Sequence, residues 1–267
     1  GMFLASPGLP PLSALLLGTL GIALASGSAA AINQLADRHI DAQMARTQRR
    51  PLPQGRVSPI QVLLFAALLG ISGITLLVVW VNPLCGWLTL AALIGYALIY
   101  TLYLKRATPQ NIVIGGIAGA SPPLLGWVAV TGTLEPDALL LVLIIFAWTP
   151  PHFWSLCIHK RDEYARANVP MLPVTHGLGY TRLQILLYTL LMIATTLLPV
   201  MTGMSGLIYL VGISALNGRF LQWAIRVFRG RDVQAPMAMF RYSINYIMGL
   251  FVVLLIDHYA PPFLNGL

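Results

Sequence analysis

Asn33, Asp37 and Asp41 recur at intervals of four in the stretch NQLADRHIDAQMARTQRRPLPQGR, residues 33 to 56. Side chains four apart share one face of an α-helix. Two carboxylates and an amide oxygen on one stripe suit Mg²⁺, a hard cation that takes oxygen ligands and commonly bridges carboxylates to substrate phosphates. Arg46, Arg49 and Arg50 follow within a turn or two. A guanidinium fork matches phosphate oxygens two at a time. Acid and arginine together therefore suit a metal-bridged diphosphate. The plainer alternative is a solvated loop, with Asp37 and Asp41 paired to Arg38 or Arg46 and the arginines only anchoring the loop.

Two other stretches carry similar chemistry. In YLKRATPQNIVIGGIAGASPPLLGW, residues 103 to 127, Lys105 and Arg106 precede the Thr108-Pro109-Gln110-Asn111 break, and Gly115, Gly116 and Gly119 allow close helix approach. In WTPPHFWSLCIHKRDEYARANVPMLPV, residues 148 to 174, Pro150 and Pro151 are expected to interrupt an apolar helix. Broken helices are tolerated in membranes where they line a cavity. His152 follows the prolines, and Lys160, Arg161 and Asp162 come after it. His152 is either a core histidine bonded to a backbone carbonyl or a contact for a tetrapyrrole, through its iron or a propionate. Trp127 and Trp154, with Tyr96, Tyr100 and Tyr103, either line an isoprenoid-shaped cavity or serve packing and interface roles.

The elements that must position these residues are membrane helices. The chain has 267 residues, 57% hydrophobic and 9% charged, against about 25% charged in a soluble domain. Its mean hydropathy is +0.78. Eight stretches have the length and apolarity of spans: 12–32, 59–81, 84–104, 111–131, 138–158, 183–202, 205–226 and 240–260. The links at 82–83 and 203–204 are so short that their flanking helices must be antiparallel hairpins. All sixteen lysines and arginines except Arg219 fall in or beside alternate links, and the positive-inside rule makes that side cytoplasmic. The net charge of +8 thus fits cytoplasmic loops and anionic lipid rather than nucleic acid. Zinc-ligand spacings, P-loops and dinucleotide fingerprints are absent from the sequence. Cys85 and Cys157 lie in apolar runs and read as small buried hydrophobes. Asp257, near the outer end of the last span, is a poor candidate for chemistry. Residues 1–267 read as one polytopic domain. The sequence is expected to lack a leading helix, which would restore an N-terminus on the basic side and bring the eight spans to nine.

The stripe Asn33-x3-Asp37-x3-Asp41 resembles the first aspartate motif of the UbiA superfamily of intramembrane prenyltransferases. The strings TPPHFW and PMLPV make the chain more similar to the haem-farnesylating branch of that superfamily. The resemblance spans residues 33 to 174 and implies an all-α, nine-helix fold around a cavity open to lipid. It implies a multi-pass protein of the bacterial inner membrane, with its diphosphate site on the cytoplasmic side. The implied reaction joins farnesyl diphosphate to haem B with Mg²⁺ as cofactor, giving haem O and diphosphate. Association with a haem A synthase or a terminal-oxidase assembly is a further implied partnership.

Under this resemblance Asn33, Asp37 and Asp41 form the catalytic metal site. Arg46, Arg49, Arg50, Lys105, Arg106, Lys160 and Arg161 form a pool of diphosphate donors, and His152 positions the haem. The superfamily carries a second DxxxD motif, whereas Asp162 stands four residues before Arg166. Asp162 then holds one ion or orients Lys160 or Arg161. A quinone-type aromatic prenyltransferase would share the first stripe but carry the second motif. A transporter would place its ionisable residues near mid-membrane.

Overall fold

The computed structural model describes residues 1–45 and 47–260, apart from the side chain of Arg106. It is all-helical, with no strand among the described residues. Eight long helices make the bundle: α1 (Ala14–Ala36), α2 (Pro59–Trp80), α3 (Pro83–Leu104), α4 (Asn111–Thr131), α5 (Pro136–His159), α6 (Gly177–Met201), α7 (Leu207–Arg229) and α8 (Ala235–Tyr259). Seven are long and apolar enough to cross a membrane. The exception is α7, as long as the others but carrying Arg219, Gln222, Arg226 and Arg229. It packs lengthwise between α6 and α8 and so runs with the spans.

Local sequence explains the boundaries. Ser58 and Gln61 form a reciprocal capping box at the start of α2, with Pro59 in the first turn, where its missing N–H costs nothing. Asn82 accepts from the Cys85 N–H at 2.8 Å and opens α3, leaving only Val81 and Asn82 between two spans. Gly203 turns the α6–α7 link at φ +78°, a conformation side-chain-bearing residues rarely adopt. Both links are the expected hairpins. Helices α6 and α8 begin earlier than the hydrophobic runs suggest. Arg182 and Arg241 therefore lie inside helices, not in links.

The proline expectation is corrected. Pro150 and Pro151 sit inside one continuous helix, α5. The break falls instead in α4, at Ala120 and Ser121, before Pro122 and Pro123. There the prolines start a new helical segment, and Ser121 Oγ donates to the Ala118 carbonyl at 2.8 Å, satisfying an end of the first.

The two halves pack differently. Around α5 to α8, large side chains including Trp154, Tyr209, Phe220 and Tyr246 are fully buried in one continuous core. A buried polar chain crosses it: Tyr246 Oη donates to Asn217 Oδ1 at 2.7 Å, and Asn217 Nδ2 to Thr196 Oγ1 at 3.0 Å. Asp257 accepts from the backbone N–H groups of Gly206 and Tyr209 at the start of α7. Its negative charge sits where unpaired helix N–H groups favour it, a structural use. Helices α1 to α4 leave room. A cavity of about 250 Å³ lies among α1, α3 and α4, lined chiefly by Ala25, Ala29, Ala30, Ala92, Tyr96 and Gly119.

Candidate active site

The end of α1 carries the Asn33–Asp37–Asp41 stripe intact. Asp37 takes a single non-helical turn between α1 and the short helix Arg38–Gln43. The backbone ladder continues through it, from Asp37 N to Asn33 O at 2.9 Å and from Asp41 N to Asp37 O at 2.8 Å. The three side chains therefore keep one face.

Both carboxylates are buried, Asp37 at 2% exposure and Asp41 at 5%. Charges at that depth need partners, and each has one. Lys105, at the end of α3, pairs with Asp37 Oδ2. Arg50 Nη1 pairs with Asp41 Oδ2 at 2.7 Å. Residues after Asp41 fold back in tight turns that return Arg50 to it: Thr47 Oγ1 donates to the Asp41 carbonyl, and buried Met44 and Leu52 pin the loop.

The second oxygen of each acid is uncommitted. Asp37 Oδ1 is buried with no hydrogen-bond partner, and Asp41 Oδ1 has none among the described residues. Asn33 Nδ2 donates to Thr101 Oγ1 at 3.1 Å, leaving its amide oxygen as the open acceptor. Thr101 in turn donates to the Tyr96 carbonyl at 2.9 Å. Three uncommitted oxygens on one face, held by three separate contacts, fit a hard cation. The apolar cavity starts one helical turn away, at Ala29 and Ala30, and shares Tyr96 with this network.

The other expected residues are more scattered. Arg49 is exposed. Arg46 and the Arg106 side chain lie outside the described residues. Lys160 pairs with Glu163, and Arg161 Nε donates to the Pro173 carbonyl at 3.1 Å. Asp162 is exposed. No three His, Cys, Asp or Glu side chains among the described residues gather around one point, so Asp162 does not join Asp37 and Asp41 in such a group.

His152 stands in the α5–α8 contact. Its Nδ1 is 2.6 Å from Ser243 Oγ, and its ring stacks on Trp148 and Phe240 at centroid distances of 4.2 and 4.7 Å. It does not line the cavity beside Tyr96. Tyr100 lines a separate groove between α3 and α4. Trp127 and Trp154 are buried, whereas Tyr103, Trp80 and Trp87 are exposed.

Sequence reasoning passed over Thr47 and Thr101, and named Asn111 only as part of a helix break. Thr101 lies four residues before Lys105 and so on its face, a signal available in advance. Asn111 opens α4 fully buried; its Nδ2 donates to the Lys105 carbonyl at 3.4 Å and its Oδ1 has no partner. Its signal was a polar residue heading an apolar helix.

Comparison with known proteins agrees with this architecture. A profile described as the UbiA prenyltransferase family matches residues 1–251. A protoheme IX farnesyltransferase of Marinobacter nauticus is 62% identical over 260 residues, covering 97% of this chain and 86% of the relative. One from Hahella chejuensis is 62% identical over 265 residues, covering 99% and 89%. A solved structure of digeranylgeranylglyceryl phosphate synthase superposes with a TM-score of 0.82 at 17% identity, covering 97% of this chain and 90% of that one. A UbiA homologue from Archaeoglobus fulgidus, bound to GPP and Mg²⁺, gives 0.61 at 15% identity, covering 95% and 94%. The eight-helix bundle, the aspartate stripe at its charged end and these matches agree: the chain belongs to the UbiA prenyltransferase family.

Proposed function

We propose that the chain transfers the farnesyl group of farnesyl diphosphate to a vinyl group of haem B, with addition of water, giving haem O and diphosphate. The observation that carries the reaction class is the set of uncommitted oxygens on Asn33, Asp37 and Asp41, flanked by Lys105 and Arg50 beside an apolar cavity. The acceptor is read from the relatives named protoheme IX farnesyltransferase, about 60% identical over almost the whole chain.

Asn33, Asp37 and Asp41 would hold Mg²⁺, which when bound offsets the charge of the diphosphate. Lys105 and Arg50 stand at the same carboxylates and can donate to the departing oxygens. The carbon–oxygen bond at the first farnesyl carbon breaks, and its electron pair leaves with diphosphate. That carbon then bonds to the terminal carbon of the vinyl group. Water adds to the other vinyl carbon and loses a proton. The alanine-lined cavity suits the prenyl chain, each buried CH₂ contributing about 0.8 kcal/mol. Its apolar walls keep water from the allylic cation until the new bond has formed.

Arg46, Arg49, Arg106, Lys160, Arg161 and Asp162 are proposed as outer members of the diphosphate site. His152 is proposed to meet the haem: Ser243 holds Nδ1, so Nε2 is the nitrogen left for it. The basic end of the bundle is proposed to face the cytoplasm of a bacterial inner membrane, supported by the one-sided distribution of lysine and arginine.

The test is an acceptor assay in detergent or lipid with haem B, farnesyl diphosphate and Mg²⁺, read by mass. The haem should gain a farnesyl group and a hydroxyl. The gain should vanish with EDTA, return with added Mg²⁺, and fall on the order of 10²-fold or more in Asp37→Ala. Prenylation of an aromatic acid with haem untouched would reject the haem reading and keep the family chemistry.

A further inference from the structure

The apolar cavity beside the aspartate stripe has a shallow and a deep end. Helices α1 and α3 finish at the charged end of the bundle, with Asp37 and Lys105, and α4 starts there, with Asn111. Among the lining residues, Ala30 and Tyr96 therefore lie nearest the charges, and Ala25, Thr89 and Leu125 lie deepest on their helices. The cavity is open to one side, where Ser26 and Gly119 are exposed. At its deep end it is closed: Ala25, Thr89 and Leu125 are only 1%, 2% and 3% exposed.

Contacts between the helices hold this floor in place. Thr89 Oγ1 donates to the Cys85 carbonyl at 2.7 Å, one turn back in α3, and Cys85 Sγ donates to the Leu125 carbonyl at 3.6 Å. The Thr89 proton is thus spent on its own helix, and the floor offers a ligand no free donor. Further out, Leu77, Cys85 and Val128 are fully buried in a separate apolar cluster. That packing fills the space a longer tail would need.

The depth can be set against a ligand. Asp37 lies twelve residues from Ala25, about 18 Å along α1 at about 1.5 Å per residue. The main chain of a farnesyl group has about twelve carbons and spans about 14 Å when extended, at C–C bonds of about 1.5 Å. A farnesyl tail that reaches the floor thus leaves the last few ångströms, beside Asp37, for the diphosphate. A geranyl tail, roughly 5 Å shorter, stops short of the floor, and a geranylgeranyl tail, roughly 5 Å longer, does not fit above it.

We propose that Ala25, Thr89 and Leu125 set the length of prenyl chain the cavity accepts, at three five-carbon units. This rests on the reading of the cavity as the prenyl site. A shorter tail leaves the floor unfilled and forgoes about fourfold in affinity for each CH₂ not buried. A longer tail has to bend out through the open side, where its last unit buries nothing more.

The test is calorimetric binding to the full chain in lipid nanodiscs with Mg²⁺ and no haem. The probes are the non-hydrolysable thiolodiphosphate analogues of geranyl, farnesyl and geranylgeranyl diphosphate. The farnesyl analogue should bind at least about tenfold tighter than the geranyl one, and the geranylgeranyl analogue should gain nothing further. Ala25→Leu raises the floor by three carbons and should cut the farnesyl-over-geranyl ratio at least about tenfold. Leu125→Ala lowers it by three and should raise the geranylgeranyl-over-farnesyl ratio by a similar factor. The two variants move the preference in opposite directions, so misfolding of one leaves the other to decide. Tighter binding of the geranylgeranyl analogue to the unaltered chain would overturn the proposal. So would variants that weaken all three analogues by a common factor, which marks a structural role. Binding of none of the analogues would overturn the prenyl reading of the cavity as well. Length-ordered binding without any haem product in the mass assay would overturn the acceptor alone and leave this inference standing.

Discussion

Asp37 commits one carboxylate oxygen to Lys105 and leaves the other buried without a partner. Lys105 compensates the charge, and the free oxygen is what a ligand would take up. Removing Lys105 alone strands a buried carboxylate, which costs about 3–5 kcal/mol when such a pair is broken one-sidedly. Lys105→Met should therefore lower the thermal midpoint in detergent strongly. Asp37→Asn combined with Lys105→Met should recover most of that loss while turnover stays abolished. An unchanged midpoint in Lys105→Met would mean that the Asp37 charge is carried by something else. The acids were legible in the sequence because spacing along one helix fixes their common face. Their partners were less so. Of the cations pooled beforehand, Arg50 and Lys105 reach the acids, and Lys160 and Arg161 satisfy their own loop instead. Lys105 is 68 residues from Asp37, a distance along the chain that no local pattern encodes.

At the scale of elements, the stripe is only as well placed as α1 is against its neighbours. Gly73 on α2 lies directly on the α1 backbone: a Cβ there would come within 2.8 Å of the Gly21 carbonyl oxygen and 3.0 Å of the Ala25 nitrogen. Backbone cannot rotate away as a side chain can, so the two helices must separate. Gly73→Val should cost about 1–3 kcal/mol, as overpacking does. It should also reduce prenyl transfer by displacing the Asn33–Asp41 stripe from Lys105. A variant with normal stability and turnover would show that α1 and α2 are free to move apart. The spans themselves were readable from hydrophobic runs. The break was not, because proline pairs occur in both α4 and α5 and behave differently. Pro122 and Pro123 open a helical segment, where missing N–H groups are harmless. Pro150 and Pro151 lie within α5 on its buried side, and the packing around that helix keeps it continuous. Arg219, exposed on α7, was the one basic residue that no link could hold.

Over the whole molecule, α5 to α8 form a filled core and α1 to α4 keep space within their packing. Apolar residues on every face look alike in sequence, so this division could not be read from hydrophobicity. It depends on size: alanines, serines and a glycine make up most of the cavity lining, with Leu93, Tyr96 and Leu125 among them, whereas Trp154, Tyr209, Phe220 and Tyr246 fill the other half. Ligand energy should then be felt unevenly. At a hundredfold excess over Kd, linkage stabilises the bound form by about 2.7 kcal/mol, or about 100-fold in exchange of amides that open only in the free form. With farnesyl diphosphate and Mg²⁺ present, hydrogen exchange should slow most between Ala36 and Arg56, where loop amides surround the aspartate stripe. It should slow next around Lys105 to Asn111, whose backbone and side chains hold Asp37's partner. Amides in α7 and the start of α8 should change little, since their core is already closed in the free protein. Protection spread evenly over all eight helices would instead mean that ligand stabilises a single cooperative unit. The packing contrast between the halves would then have no counterpart in their dynamics.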